Sequence, residues 1–178
     1  MTGVTLTASL DDTQLRAAVM RLSGLAKHPR PLLRQIGMGL VAAADERFET
    51  QTAPDGTLWA PLLPAYAALK EQMRPSSDRI LTRSGKLVRS LNYRVNGQEV
   101  SYGSAMIYAA IHQFGGTIEP KKCNALVFPL AIGKGGRVFL MHVRSVFIPA
   151  RPYLGMGPAE VEAVELAVSI QMKKAWRG

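Results

Sequence analysis

The sequence predicts an α+β fold in which an antiparallel β-sheet, a hairpin plus a meander, packs against N-terminal and C-terminal helices. Three observations carry that expectation. Apolar residues recur at helical spacing near both ends of the chain, the period drops from about 3.6 to 2 beyond Ser90, and an Asn-Gly pair separates two alternating segments there. The length of 178 residues fits one domain spanning 1–178, long enough to bury roughly 70% of its unfolded surface. Within it the reading places a helical part at about 11–73, an exposed loop at about 74–84, a sheet-rich part at about 91–150 and a C-terminal helix at about 158–176.

The opening TLTASL alternates as a short strand does, and Leu10-Asp11-Asp12 is a helix entry with an N-cap. Leu15, Val19, Leu22 and Leu25 then share one helical face up to Lys27-His28-Pro29. A second helix follows, with Leu33, Ile36, Leu40, Ala44 and Phe48 as its buried stripe. Gly37 and Gly39 each weaken it by about 1 kcal/mol relative to alanine, so close packing against another backbone is the expected reason for them. Pro54-Asp55-Gly56 stops that helix in a turn: proline presets φ, aspartate bonds nearby backbone, and glycine accepts positive φ. Trp59 precedes a helical stretch from about Leu63 to Gln72, with Tyr66 and Leu69 facing inward, and Arg74 to Ser84 reads as an exposed interaction loop.

A short helix from Ser84 to Ser90 leads into a hairpin, Leu91–Val95 and Gln98–Tyr102 about an Asn96-Gly97 turn of type I′. Ile107 to Phe114 is a brief helix closed by Gly115-Gly116. Thr117–Glu119, Leu126–Leu130, Arg137–His142 and Ser145–Ile148 are strand-like, the middle two joined across Gly133-Lys134-Gly135-Gly136, and are expected to continue the hairpin as a meander. The last helix carries Glu160, Glu162 and Glu165 early and Lys173, Lys174 and Arg177 late, which suits its dipole; Val161, Val164, Val168, Met172 and Trp176 would be its packed side.

Composition restricts function. One cysteine, Cys123, permits no intrachain disulfide and suits a reducing compartment, and neither a signal peptide nor a membrane-spanning apolar run is present. The net charge is +9, and the basic residues fall in stretches without acids. These are Arg16, Arg21, Lys27, Arg30 and Arg34; then Arg79, Arg83, Lys86, Arg89 and Arg94; then Lys121, Lys122, Lys134, Arg137, Arg144 and Arg151. Such a surface attracts nucleic acid or an acidic protein face, although no reading motif accompanies the charges.

Chemistry finds little support. His28, His112 and His142 lack the spacing of a zinc site, and His112 has no nucleophile or carboxylate fixed to it by local spacing, so it reads as a structural residue at a Gly-Gly turn. Cys123 beside Lys122 reads as a small apolar residue near a strand start rather than a reactive thiol. The Gly133–Gly136 run lacks the full phosphate-loop pattern and a following helix. No catalytic residue, metal or cofactor is therefore expected, and the acids show no glycosidase-type pairing.

Four blocks in order then carry a resemblance. Phe48-Glu49-Thr50-Gln51 is followed by Pro54-Asp55-Gly56 and Trp59-Ala60-Pro61-Leu62; Ile80 to Leu91 contains L-x-x-[ST]-G-x-L-x-x-S. Tyr108 to Gly116 fits YA-x-x-HQFGG, and Ile148 to Gly155 fits IPARPFLG with Tyr153 in place of phenylalanine. Together they resemble the phage virion morphogenesis family of Mu-like G proteins and tail-completion proteins, over about residues 48 to 155.

The resemblance implies a small α+β structural protein without an active site, located in the virion at the head-tail junction or tail end, and in host cytoplasm during assembly. Its implied partners are other tail, neck or connector proteins, in a homo-oligomer for which a ring is one arrangement, with no membrane and with non-specific DNA contact as a further option. Expected anchors are Trp59, Phe114, Arg151 and Tyr153, because these residue types dominate interface hot spots. Pro54, Asp55, Gly56, Gly115, Gly116, Pro149 and Pro152 are expected to fix turns, and Arg79, Arg83, Lys86, Lys121, Lys122, Lys134 and Arg137 to form a basic surface. The rival readings are a basic DNA-binding accessory protein, which steep salt dependence would reveal, and an enzyme built on His112 with Cys123 or a carboxylate.

Overall fold

In a computed structural model, residues 13–64, 66–67, 70, 79–121, 124–132 and 137–177 are described. The expected TLTASL strand, the Asp11-Asp12 cap, Leu69, residues 74–78 of the expected 74–84 loop, Lys122, Cys123 and the Gly133–Gly136 tip lie outside them. Helix α1 spans Thr13–Lys27 and α2 Arg30–Thr50. A single-turn helix α3, Lys86–Arg89, precedes strands β1 (Leu91–Asn96) and β2 (Glu99–Ser104). Then come α4 (Ala109–Phe114), β3 (Gly116–Ile118), β4 (Leu126–Ile132), β5 (Arg137–Val143), β6 (Val146–Ile148) and the long α5 (Pro158–Arg177).

Helix α2 organises the rest. Pro31 lies in its first turn, where a missing N–H leaves no helical bond unmade, and Leu40, Ala44 and Phe48 are buried on the expected stripe. The β1–β2 hairpin packs on one side of α2 and α5 on the other. Both glycines sit at these contacts: a Cβ on Gly37 would lie 2.3 Å from the Tyr93 ring, and one on Gly39 would lie 2.8 Å from the Ala163 Cβ. Close approach therefore accounts for two residues that helix propensity alone disfavours. Helix α1 packs on α5, where Arg21 donates to the Ala175 carbonyl at 2.8 Å.

Several expectations change. The β1–β2 register pairs Asn96 with Glu99, so the two-residue turn is Gly97-Gln98, one position later than expected. Gly97, at φ 60°, occupies the first central position, the glycine placement of a type II′ turn rather than type I′. No meander forms among the described strands. β3 pairs with β6, enclosing the antiparallel β4–β5 pair, and β1–β2 remains a separate ladder. The cause is α4 with its Gly115 exit, which intervenes between β2 and β3 and leads the chain into its own long, nested hairpin.

Tyr66 is exposed rather than inward, and Ile80 and Leu81, in the loop expected to be exposed, pack against the core. Val19 of α1 is exposed, as are Val161, Met172 and Trp176 of α5. The face of α5 against α2 centres instead on Glu160, Ala163 and Ala167, because small residues let two helix backbones approach closely.

Candidate docking site

The core and the candidate site are one construction. Phe48 lies between Trp59, edge-on at a centroid distance of 5.4 Å, and Tyr153 at 5.3 Å. Around this aromatic cluster sit Ala53, Leu87 and Ala109. The four sequence blocks thus converge from separate parts of the chain on a single centre.

Segment 151–157 runs across that centre and is fixed at nearly every residue. The Arg151 N–H donates to the His112 carbonyl at 2.8 Å, and its guanidinium donates to the Ala60 and Pro61 carbonyls at 2.7 and 2.9 Å. Trp59 Nε1 donates to the Pro152 carbonyl at 2.8 Å. Gln113 grips the strap like a backbone strand: its Oε1 accepts from the Tyr153 and Leu154 N–H groups, each at 3.0 Å, and its Nε2 donates to the Leu154 carbonyl at 2.8 Å. The Tyr102 hydroxyl donates to the Gly155 carbonyl at 2.7 Å and accepts its N–H at 3.0 Å.

A buried ion pair anchors the far end. Arg47 Nη2 donates to Glu160 Oε2, with the two side chains 6% and 0% exposed, and Arg47 Nη1 donates to the Tyr153 carbonyl at 3.1 Å. The same Glu160 oxygen accepts the Gly157 N–H at 2.9 Å, so the pair ties α2, the strap and the start of α5 together. Glu160 Oε1 is buried without a hydrogen-bond partner among the described residues. Leaving either charge alone here would be costly, because desolvation is no longer offset.

The turns behave as their chemistry demands. Asp55 Oδ1 accepts from the Thr57 N–H at 3.0 Å and from its hydroxyl at 2.6 Å, and those bonds, the side-chain one first, hold the carboxyl below its ordinary pKa. Gly115 has φ 68°, and a Cβ there would lie 2.6 Å from the Ala150 nitrogen, so only glycine lets α4 end against the Pro149–Pro152 segment.

His112 presents its ring edge-on to Tyr108 at 6.0 Å, with Nδ1 buried and unbonded among the described residues. Burial, and secondly the Arg151 charge, hold its pKa below the usual 6.5. The unfolded chain then binds the extra proton first, so stability is full above that value and falls as pH drops through it towards the folded pKa. The thermal midpoint should decline between about pH 7 and pH 5, and less so in His112→Gln; equal declines in the two proteins would refute this.

The expected anchors divide sharply. Trp59, Arg151 and Tyr153 are interior residues at 5%, 5% and 1% exposure, so their expected exposure is corrected. Residue type does not distinguish an interface anchor from a core residue whose polar tip has found a carbonyl. Phe114 alone stands out, 78% exposed where α4 ends, with Ile107 at 96% and Phe147 at 68% also exposed nearby in the chain order of α4 and its β3–β6 ladder. Sequence reading passed over Ile107 and Phe147 because alternation and helix length do not say which face lacks a neighbour.

Of the basic set, Arg83, Lys86 and Lys121 are exposed, and Arg79 forms an ion pair with Glu49 at the surface. Lys122, Lys134 and the Arg137 side chain lie outside the described residues. Among the described residues, no helix is long and apolar enough to cross a membrane, and no group of three His, Cys, Asp or Glu side chains is placed to hold a metal.

The four signature blocks thus share one buried hub, and Ile107, Phe114 and Phe147 stand exposed outside it. The chain belongs to the Phage virion morphogenesis family, which it matches over residues 10–172. It is 27% identical over 174 residues to protein G of Escherichia phage Mu, whose name assigns it provisionally to capsid assembly, covering 95% of this chain and 97% of that one. It is also 29% identical over 147 residues to the Mu-like prophage FluMu G protein 2 of Haemophilus influenzae, covering 83% and 80%. No solved structure matches the chain.

Proposed function

We propose that this chain is a tail-completion or head-tail joining protein that acts by docking, within a homo-oligomer, onto other tail, neck or connector proteins. The observation that carries the reading is Phe114. It belongs to the HQFGG block and projects, 78% exposed, from a point where His112 and Gln113 are bonded to the strap and Gly115 lies against Ala150. An apolar side chain held rigidly in water stabilises nothing in the monomer, but it loses little entropy when a partner covers it. The signature side chains Gln113, Arg151 and Trp59 are meanwhile engaged with backbone carbonyls and N–H groups, which fits a role in shape rather than in bond making.

Phe114→Asp should leave stability within about 0.5 kcal/mol, because the residue is exposed. Its binding to neighbouring virion proteins should weaken by about 2 kcal/mol, roughly thirtyfold. Electron micrographs of particles made with this variant should show tails unjoined or unfinished; normal virions would refute the proposal. A second reading, non-specific contact with DNA, draws on the exposed Arg83, Lys86 and Arg94. It requires an affinity that falls steeply with salt, which titration at two ionic strengths measures.

A further inference from the structure

We propose that two copies of this chain pair through the outer face of α5, the two helices lying antiparallel about a dyad beside Val168 and Ser169. The pairing rests on the homo-oligomer in the function proposed above and names a surface for it.

Helix α5 is apolar on both sides. Its inner side is taken: Glu160 and Ala167 are buried, Ala163 closes on Gly39 of α2, and Gln171 Nε2 donates to Gln35 Oε1 at 2.8 Å. A helix packed on one side turns a polar face to water. On this one Val161, Leu166, Ile170, Met172 and Trp176 are instead 43% to 65% exposed, with α1 in place. At about 100° per residue they fall, together with Glu162, Glu165, Ser169 and Lys173, on the half of the helix turned away from α2.

Charge and symmetry select the occupant. Glu162 and Glu165 are exposed in the first half of α5, and Lys173 and Lys174 in the second. Among the described residues, none of the four forms an ion pair within the chain. A second α5 laid antiparallel sets acids against lysines at both ends of the contact. Laid parallel, it would set acid against acid and lysine against lysine. The apolar residues obey the same dyad. At about 1.5 Å per residue, Val161 comes level with Trp176 of the second copy, Leu166 with its Ile170, and Glu162 and Glu165 with its Lys173, each to within about 3 Å along the axis. Ser169, a small side chain at the middle, lets the two backbones approach where the helices cross. The face thus complements itself, as an isologous pair requires, whereas nucleic acid would meet Glu162 and Glu165 on it.

Sedimentation of the full-length protein tests this. The wild type should dimerise. Glu162→Lys with Glu165→Lys, and separately Lys173→Glu with Lys174→Glu, should each weaken dimerisation at least about tenfold with the circular dichroism unchanged, because each sets like charges across the dyad. Mixed together, these two variants should pair with each other, since one presents only lysines at the four positions and the other only glutamates. Leu166→Gln with Ile170→Gln, which keeps helix propensity at two exposed positions, should also leave monomers. Dimerisation unaffected by either reversal or by the glutamines, or a mixture of the reversed chains that stays monomeric, would overturn the pairing. A wild type that sediments as a monomer would overturn it too, while leaving docking onto other virion proteins, read by Phe114→Asp, intact.

Discussion

Glu160→Ala is expected to destabilise the fold by about 3–5 kcal/mol, a large part of the 5–15 kcal/mol that holds a typical domain together. The substitution leaves the Arg47 guanidinium, 5% exposed, buried without its counter-charge. It also takes the acceptor from the Gly157 N–H, at the point where the strap enters α5. Replacing both partners with apolar residues, as in Arg47→Met with Glu160→Leu, removes the isolated charge and should cost markedly less than Glu160→Ala alone. Urea unfolding of the two variants decides it: equal losses would mean that the pair's electrostatics are not what matters there.

The second large effect belongs to Phe48→Ala, expected to cost about 3–5 kcal/mol through lost burial and a cavity between Trp59 and Tyr153. Phe48 is 1% exposed and makes both aromatic contacts of the core. Phe114, the same residue type at 78% exposure, should tolerate alanine within about 0.5 kcal/mol. Chemical denaturation of both separates the phenylalanine that builds the hub from the one that the hub displays. A comparable loss in both would show that Phe114 packs within the monomer.

Much of this was legible in the sequence for local reasons. The α2 stripe, the Asp55 turn, the Gly115 exit and the order of strands follow from periodicity and backbone preferences, which act over a few residues. What escaped depends on contacts between distant segments. Glu160 reads as an ordinary helix-dipole charge, and only folding brings it to Arg47 across more than a hundred residues. Likewise Gln113 becomes a mimic of backbone only once the strap lies beside it. Trp59, Arg151 and Tyr153 were expected at a surface because their types favour interfaces, yet each meets a carbonyl inside. The β1–β2 and β4–β5 pairs were legible, being local hairpins, but the β3–β6 pair was not, since an alternating pattern fixes a face and leaves a distant neighbouring strand open. Val161, Met172 and Trp176 are apolar at the right spacing for a core and still lie in water on this chain alone.

In the docking function proposed above, a preformed hub presents apolar surface to other subunits without rearranging. Amide hydrogen exchange, compared between the isolated protein and the protein in assembled particles, tests it most directly. Gln113 to Gly115 and 151–157 should already be slow to exchange in isolation, and protection should rise on assembly around β3 and β6. Fast exchange of the strap in the isolated protein, or gains confined to the hub with none along those strands, would contradict it.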